Sequence, residues 1–147
     1  MAINEVFTIG YEGREIDDFI DRLKKYRITR LIDVREIPLS RKKGFSKTEL
    51  RKRVESAKIE YFHFRSLGSP SNIRHRLKID HNYERFFKAY GIYLENNNAA
   101  ISEAYDLMQN GLTCIMCFER FPEKCHRSTV VQRIKEIDGN GLNILHI

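Results

Sequence analysis

A chain of 147 residues, 41% apolar and 11% aromatic, can build one ordinary hydrophobic core, which excludes a disordered or low-complexity polymer. Twenty-six Lys and Arg against 20 Asp and Glu leave a formal charge of +6, favouring anionic partners: a small molecule or nucleotide first, nucleic acid second. No apolar run reaches the roughly 18 residues that cross a bilayer, and MAINEVFTIG lacks the basic-then-apolar layout of a signal peptide, so a cytoplasmic protein with no membrane partner is expected.

The first elements read as strand, glycine-bearing turn, helix. Val6 to Ile9 is a short apolar run ending at Gly10, and Ile16, Phe19, Ile20 and Leu23 then recur at helical spacing. Arg30 to Val34 is a second strand, closed by Pro38, so these elements form a right-handed βαβ unit. The next helix has a predicted capping box, Ser46 with Glu49, and a hydrophobic staple of Phe45 on Leu50. Ile59 to Phe64 reads as strand three, with Tyr61 and His63 on one side.

From Arg65 to about His81 regular periodicity fails, and a long loop is expected there, carrying Arg74, His75, Arg76 and Lys78. Tyr83, Phe86, Phe87, Tyr90 and Leu94, then Ala100, Ile101, Ala104, Tyr105 and Met108, mark two helices whose aromatic stripe serves packing. Thr113 to Phe118 is strand four. A polar loop follows, then a helix with Val130, Val131, Ile134 and Ile137 inward and Gly139 past its end, and Leu142 to Ile147 closes the pattern. Strands alternating with helices imply one α/β domain over residues 1–147: a single open, mostly parallel five-stranded sheet with helices on both faces.

Ligands of such sheets sit outside the strands' carboxyl ends, which puts Gly10-Tyr11-Glu12-Gly13, Asp33-Val34-Arg35, the Arg65 to His81 segment and Cys117 to Arg127 at one mouth. Pro122 is placed to open the last long helix, so Cys125 would lie in its first turn and be driven toward thiolate, while Arg127 could grip an anion. Each residue also has a plain structural use. Cys117 could fill the core, Glu119 cap the helix, Arg127 pair with Asp33, and Asp33 with Arg35. Gly10-x-x-Gly13 fits a phosphate approach or a tight turn.

Three cysteines without an export signal argue for reduced thiols rather than a disulfide framework. Cys114-x-x-Cys117 resembles a metal-ligand pair, but on a strand those positions face opposite ways. Cys117, Cys125 and His126 could meet around an ion only with a fourth ligand such as His63 or His146, so no metal is assigned. No cofactor and no oligomeric state follow from these residues. Seven basic residues between Arg41 and Arg53 form a patch able to track a phosphate backbone or simply to stay solvated.

Thr8-Ile9-Gly10-Tyr11, Leu31-Ile32-Asp33-Val34-Arg35, Tyr61-x-His63 before Leu67-Gly68, and above all Cys117-x-Glu119-x-x-Pro122-x-x-Cys125-His126-Arg127-Ser128 resemble the domain-of-unknown-function 488 family over nearly the whole chain. The resemblance implies that Asp33, Arg35, Cys117, Glu119, Cys125, His126 and Arg127 form one site, without implying a substrate. The family's usual Gly-His-Ser start reads Gly10-Tyr11-Glu12 here, so no role resting on that histidine carries over. A weaker likeness, to rhodanese-type sulfurtransferases, rests on the Asp-Val-Arg strand end and the cysteine loop before Arg127-Ser128. The cysteine-to-arginine spacing differs from that loop.

The leading expectation is an enzyme, a transferase or hydrolase, acting on a phosphate-bearing or other anionic ligand such as a nucleotide. Cys117, Glu119, Cys125 and His126 would be catalytic, and Gly10, Tyr11, Asp33, Arg35, His63 and Arg127 would bind the ligand. The alternatives are sulfur transfer through a cysteine persulfide and a non-enzymatic nucleic-acid-binding module using the Arg41 to Arg53 face and the Arg65 to His81 loop.

Overall fold

The computed structural model of the chain describes residues 4–147. Strands β1 (Glu5–Gly10), β2 (Arg30–Asp33), β3 (Glu60–His63), β4 (Thr113–Cys117) and β5 (Asn143–His146) form one open five-stranded sheet in the order β3-β2-β4-β1-β5, parallel throughout. Helices α1 (Ile16–Lys25), α2 (Lys47–Ser56), α3 (Ser71–Asp80), α4 (Tyr83–Glu95), α5 (Asn98–Met108) and α6 (Arg127–Asp138) connect the strands. The expected α/β class holds.

Strand alternation divides the core in two. Phe7, Ile9, Leu31, Cys114 and Met116 face α1 and α2, meeting Phe19, Leu23, Leu50 and Val54. Val6, Ile32, Ile115 and Cys117 face α4, α5 and α6, meeting Tyr90, Leu94, Ile101, Val130 and Ile134. With both faces covered, all residues of β4 are buried, which explains its apolar run from Cys114 to Cys117.

This topology positions the candidate site. β1 and β2 lead into helices on one face, whereas β3 and β4 lead into helices on the other. Because β4 lies between β2 and β1, the chain leaving it diverges from both neighbours and opens a crevice at the carboxyl edge.

Three local expectations are corrected. The segment expected as a loop contains a 3-10 turn, Arg65–Leu67, and α3, which has no buried residue and therefore no apolar face to announce it in the sequence. Ser46 stands at the N-cap of α2, but its hydroxyl bonds with Ser40 and Glu49 accepts from the Gly44 amide, so the reciprocal capping box is absent. Pro122 opens a separate 3-10 turn, Pro122–Lys124, and α6 begins only at Arg127, leaving Cys125 extended outside the helix. Among the described residues, no helix is long and apolar enough to cross a membrane.

Candidate functional site

A cavity of about 470 Å³ occupies the crevice. Tyr11 enters its lining after β1, Arg35, Glu36, Ile37, Leu39 and Ser40 after β2, Ser69, Arg74 and Lys78 after β3, Cys117 at the end of β4, and Phe118, Glu119 and His126 beyond it. A second cavity, about 360 Å³ between α3 and α4, gathers no comparable cluster of cysteine, histidine and acid.

Asp33 is fully buried and answers Arg35 directly: Arg35 Nε donates to Oδ1 at 2.9 Å and Nη2 to Oδ2 at 2.7 Å. Tyr61 donates its hydroxyl to Oδ2, and Arg35 Nη1 reaches the Phe45 carbonyl at 2.7 Å and the Tyr11 hydroxyl at 3.3 Å. Burial works against the Arg35 charge, but Asp33 outweighs it and raises the guanidinium's pKa. Burial and the neighbouring Asp33 also raise the Tyr61 phenol. Asp33 is thus the local ion pair of β2's exit, and Arg35 presents an already neutralised charge to the cavity.

At the cavity floor the chain leaving β4 turns back so that Cys117 and Cys125 join as a disulfide, while Cys114 remains a free thiol in the opposite half of the core. Uniformly reduced thiols were the expectation, and the fold corrects it by bringing together two sulfurs eight positions apart. Burial pushes the Cys114 thiol well up. The Arg127 amide, first of α6, donates to Cys125 Sγ at 3.4 Å, so the sulfur faces the helix's amino end although Cys125 lies outside its first turn.

His126 is buried, with Nε2 at 2.6 Å from the Val34 carbonyl. A carbonyl only accepts, so Nε2 carries the proton and Nδ1, 3.8 Å from Cys125 Sγ, presents a lone pair. Burial depresses the imidazole pKa to about 4, despite the Val34 bond, so the ring is neutral at pH 7. Glu119 Oε2 lies 3.5 Å from Cys117 Sγ, and burial raises its carboxyl pKa against the pull of Arg127.

Arg127 is 1% exposed and is absent from the cavity lining. Its Nε donates to Thr8 Oγ1 at 3.1 Å, Nη1 to Cys117 Sγ at 3.2 Å and to the Glu119 carbonyl, and Nη2 to the Arg120 carbonyl at 3.2 Å. Among the described residues it forms no salt bridge, and burial lowers its pKa. It stitches the β4 exit to β1.

Of the expected residues, Tyr11, Arg35, Cys117, Glu119 and His126 line one cavity, and Cys125 lies just behind it. Asp33 sits beneath Arg35. His63 Nε2 lies 2.7 Å from the Arg35 carbonyl and His146 Nδ1 contacts Thr8 Oγ1, so neither histidine joins the sulfur cluster. A Cβ on Gly10 would stand 1.8 Å from the Glu119 carbonyl, which makes this glycine the seat for the β4 loop. Gly13, at φ +78°, is a turn residue. Arg74 and Lys78 were visible in the sequence only as charges in an irregular stretch; α3 carries them to the mouth. Ile37, Leu39 and Phe118, 48%, 71% and 44% exposed, give the cavity an apolar rim that no periodicity announced. The Arg41 to Arg53 patch is partly neutralised, since Arg51 pairs with Glu55 and Arg53 with Asp17.

An open parallel sheet with helices on both faces and a chemically loaded crevice at its carboxyl edge places the chain in the doubly wound α/β class. The family model described as Domain of unknown function DUF488 matches residues 15–134, and the chain belongs to that family. No curated protein and no solved structure matches the chain.

Proposed function

We propose that this protein is an enzyme that binds a phosphate-bearing small molecule, with a nucleotide as the best-fitting class, in the β4 crevice. The observation that carries the reading is the convergence of Arg35, Arg74 and Lys78 with Cys117, Glu119 and His126 around one cavity. Its volume of about 470 Å³ falls within the about 300–1,000 Å³ typical of ligand pockets. Arg35 is neutralised by Asp33, and Arg74 is engaged by Glu36, the Ser69 carbonyl and the Ser71 hydroxyl, so exposed Lys78 is the first group to meet an anion, with Arg74 beside it. Ile37, Leu39 and Phe118 suit the apolar face of a base. Glu119, whose carboxyl is held above its ordinary pKa, is the proton-transfer group at the floor, with neutral His126 beside it.

The test is a thermal-shift series with pyrophosphate and nucleoside mono-, di- and triphosphates. Lys78→Ala should remove the ligand-induced shift while leaving the unliganded melting temperature nearly unchanged; Arg74→Ala should also remove the shift but lower the unliganded melting temperature, because Arg74 holds Glu36, the Ser69 carbonyl and the Ser71 hydroxyl; and Phe118→Ala should weaken nucleotides more than pyrophosphate. A shift that survives both basic substitutions would overturn the assignment.

A second reading, sulfur transfer, is favoured by the contact between Cys117 and Cys125. Thiosulfate treatment of the reduced protein would then leave one added sulfur by intact mass, and an unmodified protein would count against it.

A further inference from the structure

We propose that Cys117, Glu119, Cys125 and His126, with both cysteines reduced, bind one divalent transition-metal ion of the zinc class on the floor of the crevice. One ligand atom from each lies within 4.8 Å of all the others. Two thiolates and an imidazole select zinc, cobalt or iron over magnesium and calcium. Glu119 supplies the fourth ligand that neither His63 nor His146 can reach.

Two edges of the set already match a tetrahedral site, and reduction must part the two sulfurs to complete it. With metal–sulfur bonds of about 2.3 Å and metal–nitrogen or metal–oxygen bonds of about 2.1 Å, sulfur-to-nitrogen and sulfur-to-oxygen edges come to about 3.6 Å. Cys125 Sγ to His126 Nδ1 measures 3.8 Å and Cys117 Sγ to Glu119 Oε2 measures 3.5 Å. The Cα atoms of Cys117 and Cys125 stand 7.4 Å apart, wider than the about 4.4–6.8 Å usual for disulfides, which leaves room for an ion between the reduced sulfurs.

Three surrounding contacts point the same way. His126 donates Nε2–H to the Val34 carbonyl, the outer contact that fixes a ligating imidazole, and so aims Nδ1 at the cluster. The Arg127 amide donates to Cys125 Sγ. The Arg127 guanidinium, buried and without a carboxylate in salt-bridge range among the described residues, donates to Cys117 Sγ at 3.2 Å. A disulfide sulfur is a poor neutral acceptor, whereas a thiolate there gives this buried cation an anionic partner. Two thiolates, a carboxylate and a dipositive ion sum to about one negative charge, which Arg127 offsets.

The two forms exclude each other. A dithiol reductant delivers two electrons and two protons to the disulfide, giving two thiols and leaving the reductant as its own disulfide. Metal binding then releases both thiol protons. The ion would face the cavity through Glu119, the only half-exposed ligand of the set. The proposal shares its floor with the phosphate reading but does not require it, because ion uptake is measured without organic ligand.

The experiment uses the full chain, stripped of metal and reduced with a phosphine, titrated anaerobically with cobalt(II). One equivalent should produce thiolate-to-cobalt charge transfer in the near ultraviolet and intense visible bands of a tetrahedral site, both lost on adding zinc(II). Glu119→Gln should shift the visible bands and weaken binding while keeping the charge transfer. Cys125→Ser and His126→Gln should lose the one-equivalent spectrum, with circular dichroism confirming their fold, and Cys114→Ser should behave as the parent. Reduced parent protein that gives no stoichiometric spectrum overturns the proposal, as does equal uptake by the disulfide form or an unaltered Glu119→Gln spectrum. Cobalt uptake without any phosphate-ligand shift would sink only the phosphate reading, and the reverse pattern only the metal site.

Discussion

Arg127→Met separates a strut from a ligand clamp. The guanidinium donates to Thr8 Oγ1, Cys117 Sγ and the carbonyls of Glu119 and Arg120, and methionine keeps much of its length without any donor. Two loop carbonyls left without donors cost about 1 kcal/mol or more each, and the lost contacts to Thr8 and Cys117 bring the total to about 2–4 kcal/mol after removal of a costly buried charge is counted. That is a large part of the about 5–15 kcal/mol that holds a typical folded protein together. Urea unfolding should show the midpoint falling with little change in slope. Lys78→Ala, on an exposed turn of α3, should stay within about 0.5 kcal/mol of the parent. If Arg127→Met were as stable as the parent and had lost only ligand binding, Arg127 would be a clamp after all.

His126, Gly10 and Asp33 give three further expected outcomes. His126 has a folded pKa of about 4 against 6.5 when unfolded, so its neutral burial is free above pH 6.5 and opposes folding increasingly as pH falls toward 4. Between pH 7 and 4.5 the metal-free parent should lose about 2–3 kcal/mol more stability than His126→Gln, measured by urea midpoints at both pH values. Equal losses would show that His126 does not titrate as described. Gly10→Ala drives a Cβ into the Glu119 carbonyl and should cost about 1–3 kcal/mol, read as a lower melting temperature; an unchanged value would mean that the β4 loop does not rest there. Asp33→Asn leaves Arg35 as an unpaired buried charge and should cost about 3–5 kcal/mol by urea unfolding, whereas a neutral result would contradict the ion pair's burial.

Elements with a buried face were legible from residue order alone. Ile16, Phe19, Ile20 and Leu23 are all buried in α1, and the Tyr90-bearing stripe of α4 packs in the core as its spacing implied. α3 was hidden for the same reason, since a helix that buries nothing has no periodic apolar signal. Strand alternation correctly set Cys114 apart from Cys117. Direction was the missing quantity near the site. Sequence spacing brought Cys117, Glu119, Cys125, His126 and Arg127 to one edge, but it could not show that the Arg127 side chain turns inward to the Thr8 hydroxyl and the loop carbonyls while Lys78 and Arg74 face the cavity. Pro122 misled because its fixed φ suits the start of a 3-10 turn as well as that of an α-helix.

The crevice itself is tested most directly by backbone amide NMR shifts during titration with pyrophosphate. The phosphate reading expects the largest, saturable changes at Tyr11, Ser69, Arg74, Lys78 and Glu119, with Lys78→Ala abolishing them. Changes centred instead on the basic face of α2, or on the groove between α3 and α4, would place anion binding elsewhere and remove the ground for an enzyme at the end of β4.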